Sequence, residues 1–453
     1  MKILMFRPSP PKETIGLQHV MVVEPLELEV LGATVEKDDE VQIIDFILEK
    51  RSPEYFIRKF APDMLCVTGY ITNVLQMKEY CTIAKSINPS IVTVAGGVHL
   101  EVNPADLDDI SIDFRVVRNA VTAFPALIRH IKYNESLPPG VFRPREAVEN
   151  LPEFDFSFPH PDRTLVSRYR KHYFYIFHDK VALLKTAFGC PYSCNFCFCR
   201  IITSDNFAQR PIEDVLDELE TIEEKEIYIV DDDFLVSPSR LEQFMDGLLA
   251  RNIKKSFLIY GRSDFIVAHV ELISRFKELG LRTVIVGFES FDPDELEKYN
   301  KMTDPLTNEK AMQILNSLGI DCYATVILPP EWGHKDFDRL VEKLIELDVK
   351  YVNLQPLTPI PGTGYQVDKN KLLIHPGDYP KWDLAHVAIT PEKMSVAEYY
   401  QCIIKAYERI LFRPSVIKNH LRYSPKMLYK MLKGSWAVHK QYKKKYKEAL
   451  KNA

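Results

Sequence analysis

Short apolar runs alternate with amphipathic stretches over the first 132 residues. The runs KILMF, VQIIDF, DMLCVTGY, IVTVAGG and DFRVV have the length of strands, and segments such as NVLQMKEYCTIAKS between them have helical spacing. Strands alternating with helices predict a parallel sheet covered on both faces, a Rossmann-like doubly wound α/β unit. The loops after these strands carry Thr68-Gly69-Tyr70, Gly96-Gly97-Val98-His99 and Arg118-Asn119. An open parallel sheet binds ligands at that carboxyl edge. Glycines there also turn chains, so Thr68, Gly69, Gly96 and Gly97 are candidates for a ligand site or for simple turns.

From 133 to 180 the pattern loses its period and becomes rich in proline and aromatics (LPPGVFRPREAVENLPEFDFSFPHPDR), which predicts a linker. A second series runs from 181 to 370: VALLKTAF, EIYIVDDDF, SFLIYGRSDF, TVIVGFES, CYATVILPP and YVNLQPLTP, with segments such as RLEQFMDGLLA between them. Six βα units predict a partial (βα)6 barrel, with its chemistry at the C-terminal strand ends. Cys322 and Tyr323 fall in the fifth of these strands; the expectation for Cys322 is a core position. Residues 371–453 read as helical and basic, and Trp436 with Met427, Leu428, Met431 and Leu432 gives amphipathic character.

Composition adds little to the class but something to the tail. At 46% hydrophobic and 27% charged, the 453-residue chain is built like an ordinary globular protein. The first residues read as a strand rather than a signal peptide, and no run is long enough to span a bilayer, so a cytoplasmic location is expected. The formal charge of −5 hides fourteen Lys and Arg against two Glu from residue 401 onward. Such a basic helical segment is either a solvated face or a surface for anionic lipid, nucleic acid or an acidic protein.

Four of the eight cysteines lie between Cys190 and Cys199. In a chain read as cytoplasmic, clustered thiols predict metal ligation rather than disulfides. Cys190, Cys194 and Cys197 have the spacing CxxxCxxC directly after a strand, while a structural zinc would want four N or S ligands, usually in two pairs. Three thiolates suit a 4Fe-4S cluster with one iron left open. Cys199, two residues on, is expected to stand outside the set.

On these residues the chain resembles the radical S-adenosylmethionine (SAM) superfamily, in which CxxxCxxC follows the first barrel strand. The resemblance implies that the open iron binds SAM, whose reductive cleavage yields a 5'-deoxyadenosyl radical. It also implies a flavodoxin- or ferredoxin-type electron donor. Phe196 matches the aromatic that usually precedes the third cysteine. By the same resemblance, Asp232 and Asp233 in VDDDF would meet the methionine ammonium, Arg262 in GRSDF the SAM carboxylate or ribose, and Glu289 and Ser290 in GFES the ribose. The first domain is similar to the cobalamin-binding domains fused to many of these enzymes, through PDMLCVTGYITN and VAGGVHLEVNP. It lacks their DxHxxG motif, so any cobalt would be held without that histidine, and it has Arg118 to Val121 where many relatives have Gly-Glu-Gly-Glu. The implied activity is cobalamin-dependent methylation of an unactivated carbon, with a cyclase, mutase or C–C bond-forming reaction as the alternative.

Overall fold

The computed structural model describes residues 1–451, apart from the side chain of Leu17. The first part holds β1 (Lys2–Arg7), β2 (Met21–Val22), β3 (Glu40–Asp45), β4 (Met64–Thr68), β5 (Val92–Gly96), β6 (Phe114–Val116) and β7 (Val141–Phe142). Six of these pair in the order β3-β1-β4-β5-β6-β7, all parallel except the last. Alternation along the strands decides the layers. Ile3, Met5, Met64 and Val94 face one core with the helix Ala120–Tyr133, while Leu4, Phe6, Leu65 and Val67 face another with the helices Pro53–Phe60 and Val74–Ile87. Strand order reverses direction between β1 and β4, the place where a doubly wound sheet opens a crevice.

The second sheet follows. β8 (Phe174–Tyr175) and β9 (His178–Asp179) form a small hairpin sheet with β2. Then come β10 (Val181–Leu184), β11 (Ala187–Phe188), β12 (Ala208–Gln209), β13 (Glu226–Ile229), β14 (Ser256–Tyr260), β15 (Leu281–Glu289), β16 (Asp321–Leu328) and β17 (Tyr351–Pro356). Six of them pair in parallel in chain order, β10-β13-β14-β15-β16-β17, as a partial barrel does. Val181, Leu183, Tyr228, Leu258, Ile285, Tyr323 and Tyr351 fill the lumen, whose floor is closed by Leu26, Val30 and Tyr175. The alternate residues, Cys322 among them, pack outward against the helices. Cys322 is therefore core, and its neighbour Tyr323 points inside.

Two segments depart from the expectation. Residues 133–180 are not a plain linker: β7 extends the first sheet, β8 and β9 build the barrel floor, and Tyr169 and Tyr173 enter the first core. Prolines broke the periodicity there while its aromatics supplied the burial. The tail is not helical from 371: residues 372–395 hold one 3-10 turn (Tyr379–Lys381) and no α-helix, and the α-helices begin at Val396–Leu411.

A buried charge network joins the two sheets. Glu24, 2% exposed, accepts from Leu183 N at 2.6 Å and from Arg170 at 2.9 Å, with Arg163 at 3.7 Å. Arg163 continues to Glu218 at 2.9 Å, and Arg210 reaches the other Glu218 oxygen at 2.6 Å. The helix Pro425–Lys451 straps the outside: Met427 and Met431 enter the first core and Tyr442 enters the barrel core. At Gly434 it crosses so close that a Cβ would lie 2.2 Å from the carbonyl oxygen of His19. Gly434→Val is expected to cost about 1–3 kcal/mol through this overpacking, read as a lower unfolding midpoint and faster proteolysis between 412 and 425; an unchanged midpoint would show that the helix does not hold the first domain.

Candidate functional site

The cysteine loop is held open by its own backbone and by one neighbouring segment. Gly189 takes φ +72°, and a Cβ there would lie 2.1 Å from the carbonyl oxygen of Asn206, so only glycine enters this turn. Beyond it, Asn195 N donates to Tyr299 O at 3.2 Å, Asn195 Nδ2 to Lys298 O at 2.7 Å, and Asn300 Nδ2 to Ser193 O at 2.8 Å. Phe196 packs edge-on against Tyr299, with ring centroids 5.6 Å apart. Phe196 thus anchors the loop to the segment that also delivers Lys301. Burial pushes the Cys190 thiol up to about 12 and raises Cys194. A hydrogen bond from Cys199 lowers Cys197 and, with burial, raises Cys199 itself.

The three aspartates at the end of β13 divide their work. Asp231 accepts from Thr186 N at 2.6 Å and Ala187 N at 3.0 Å, which ties the end of β13 to the end of β10. Asp232 is half-buried and adjoins Cys197 and Cys199. Asp233 is 4% exposed; one oxygen accepts from Leu235 N at 3.0 Å and the other is buried without a partner. Burial pushes its carboxyl up to about 7, against the pull of the Leu235 N–H, Arg262 and Lys301.

Glu289 sits where the β15–β16 register slips, at φ +62°. A bulge of this kind re-aims a side chain. Its carboxylate meets Lys301 at 3.0 Å, and a Cβ on Gly287 would lie 2.3 Å from Glu289 Oε1 and 2.9 Å from Lys301 Nζ, so the glycine is what leaves room for the pair. Burial opposes the charge of Lys301, but Glu289 and Cys194 outweigh it and hold the ammonium above its ordinary value. Arg262 lies 3.9 Å over the Tyr192 ring, pairs with Asp264 at 3.0 Å and donates to Lys301 O at 2.8 Å. Ser290 is turned away from the rest: its hydroxyl donates to Glu295 and accepts from Asp292 N at 2.9 Å. Lys301 and Tyr192 carried no signal in the sequence, because each reaches the site through a loop rather than a strand end.

Across from this site is the switch point of the first sheet. Thr68 is buried, and a Cβ on Gly97, at φ +102°, would lie 2.5 Å from Thr68 Oγ1. A Cβ on Gly69 would press on Asn73 at 2.8 Å, whereas one on Gly96 would meet nothing closer than 3.8 Å. Gly96 is the open position; Gly69 and Gly97 are close-packed. His99 is turned to Asp106 at 2.8 Å. Tyr70 is 61% exposed, yet burial raises its hydroxyl, with Glu27, Arg7, Tyr260 and Cys199 as neighbours. The carboxyl edge of the first sheet faces the barrel's strand ends here, since Gly362, after β17, lies against Val102 of the first domain and near Ile201 beside the cysteine loop, and the chamber is the space between these two edges. Glu101 is half-buried, and burial pushes its carboxyl up to about 8 with Arg118 opposing. Arg118 donates to Ser204 at 2.9 Å, and Phe154, Phe156 and Phe158 run past the chamber to Phe188.

Residues 14–128 match the family model of the B12 binding domain and residues 184–344 that of the radical SAM superfamily. The chain thus carries a radical SAM domain behind a B12 binding domain. It is similar to the hopanoid C-3 methylase of Methylococcus capsulatus, 25% identical over 91% of this chain and 80% of that one. It is also similar to an uncharacterized methyltransferase of Pyrococcus horikoshii, 24% identical over 97% and 99%. Its fold matches the radical SAM methyltransferase TsrM from Kitasatospora setae, solved with cobalamin and a [4Fe-4S] cluster, with TM-score 0.68, 16% identity and coverage of 100% and 99%.

The residues present fit the cofactors of these two domains. Three thiols on a glycine-opened loop suit the cluster, the unpartnered oxygen of Asp233 suits a cationic ligand beside it, and the open approach at Gly96, where a Cβ would meet nothing closer than 3.8 Å, suits a large planar one. Among the described residues, no three His, Cys, Asp or Glu side chains converge on a single-ion site. Lys301→Met should destabilise the protein by about 3 kcal/mol or more by leaving Glu289 buried and unpaired, and Glu289→Gln added to it should restore most of the loss. Denaturant unfolding of both variants measures this; equal stability would mean that the pair is screened by water.

Proposed function

We propose that the chain methylates an unactivated carbon, using SAM and cobalamin in the one chamber. The observation that carries this reading is that the ligand edges of both sheets face each other. Arg118, after β6, donates to Ser204 beside the cysteine loop at 2.9 Å, and a Cβ on Gly362 would lie 2.7 Å from Val102 of the first domain and 4.0 Å from Ile201 of the cysteine loop's helix. Two cofactors bound at these edges would share one dry space, which suits transfer of a carbon group between them.

Bound there, the cluster with SAM supplies a hydrogen-abstracting carbon radical, and cobalamin carries a methyl group. The chain's own residues bind and orient. Asp233 offers its unpartnered oxygen to an ammonium; Glu289, steadied by Lys301, and Arg262, steadied by Asp264, offer polar groups to a ribose or carboxylate. Tyr192 holds the Arg262 plane, and the row Phe154, Phe156 and Phe158 keeps water from the mouth. The methylase relatives, matched along most of their length, support methyl transfer over cyclisation.

Anaerobic reconstitution with iron, sulfide and hydroxocobalamin should give a protein with stoichiometric cobalt. With reductant and methyl-deuterated SAM it should form both S-adenosylhomocysteine and 5'-deoxyadenosine. Iron without cobalt would transfer the reading to a cyclase or mutase. SAM affinity should rise with pH through about 7, because Asp233 must ionise to pair with an ammonium. Asp233→Asn should weaken binding by about tenfold and flatten that profile; an unchanged profile would remove Asp233 from the SAM site.

A further inference from the structure

The helix Pro425–Lys451 has two faces, and the reaction uses neither. Met427, Met431, Gly434 and Tyr442 lie inward and hold it against both cores. Residues three, four and seven apart share a face, and on the far side Tyr429 (70% exposed), Leu432 (67%) and Trp436 (64%) form one stripe. Exposed Lys433, Lys440, Lys443 and Lys447 continue it. None of these four has a salt-bridge partner among the described residues; Lys440 rests 5.4 Å from the Trp436 ring. Just before this helix, Phe412 (73%), Ile417 (52%) and Leu421 (72%) are also exposed. Single exposed apolar residues are ordinary; six large ones between 412 and 436, with twelve Lys and Arg and no acid between Glu408 and Glu448, are not.

We propose that this face seats the enzyme on the surface of an anionic lipid bilayer. Trp and Tyr beside lysines are the side chains that settle at the boundary of headgroups and acyl chains. The lysines meet anionic headgroups, each contributing modestly and in a salt-dependent way. The apolar member of the stripe separates a membrane from a nucleic acid, since a phosphate backbone offers lysine a partner but offers Leu432 no apolar phase. Attachment is peripheral, because no helix among the described residues is long and apolar enough to cross a membrane. The strongly basic tail on an otherwise acidic chain orients the approach, tail first.

The test uses the full chain with vesicles of phosphatidylcholine alone or mixed with phosphatidylglycerol. Sedimentation with the mixed vesicles only, reversed by salt, is expected. Trp332 and Trp382 are buried, so Trp436 reports insertion: its emission should shift to the blue and be quenched by brominated acyl chains. Lys433→Glu with Lys440→Glu, and separately Leu432→Glu, should each weaken binding by at least about tenfold. All three side chains point outward, and an unchanged unfolding midpoint confirms that the variants are folded. Absence of sedimentation with anionic vesicles, unshifted Trp436 emission on binding, or tighter binding of a single-stranded nucleic acid than of vesicles would each overturn the proposal.

Discussion

The arrangement of the two sheets rests on Glu24. Its carboxylate, removed from water, accepts from the backbone of β10 and lies between Arg163 and Arg170. Arg163 and Arg210 then share Glu218 on the first barrel helix. Ion pairs this deep add little net stability over an apolar packing, because desolvation offsets most of the attraction. They do punish a misplaced domain, since a shift that separates one pair leaves a buried charge alone. Glu29, fully buried beside this network with neither side-chain oxygen partnered, shows the limit: burial and the neighbouring Glu24 raise its carboxyl well above the ordinary range. The network therefore sets the relative position of the sheets more than it sets their stability, and the chamber depends on that position.

Within the chamber, the polar groups fall into two kinds. Asp231 and Ser290 complete hydrogen bonds of the scaffold, whereas Asp233 keeps a buried oxygen without a partner. A buried unsatisfied acceptor is costly in a folded protein and tends to be kept where a ligand completes it. Lys301 belongs to neither kind. It holds Glu289 in place and brings positive charge near Cys194, which favours the thiolate that a cluster requires.

The C-terminal helix couples architecture to environment. Its inward stripe spans both cores, so the surface that it turns outward is rigidly oriented with respect to the chamber. A basic aromatic face fixed in this way would present the whole enzyme to a bilayer in one orientation, without a flexible tether.

Much of this protein was legible from its sequence. Strand-length apolar runs alternating with helical segments pointed to the two parallel sheets, and the CxxxCxxC spacing pointed to the candidate cluster ligands, because both are local properties of the chain. The aromatic run at 154–158 and the strands at 141–142 and 174–179 were hidden, since prolines erase periodicity while burial there comes from distant partners. Which aspartate of three keeps a free oxygen, that Lys301 pairs with Glu289, and that Ser290 turns away were all decided by tertiary structure. Each depends on how a loop some distance along the chain returns to a strand end. The same holds for the facing of the two ligand edges: the sequence specifies each sheet through its own alternation, but contacts between segments far apart in the chain, the buried pairs around Glu24 and the C-terminal helix among them, bring them mouth to mouth.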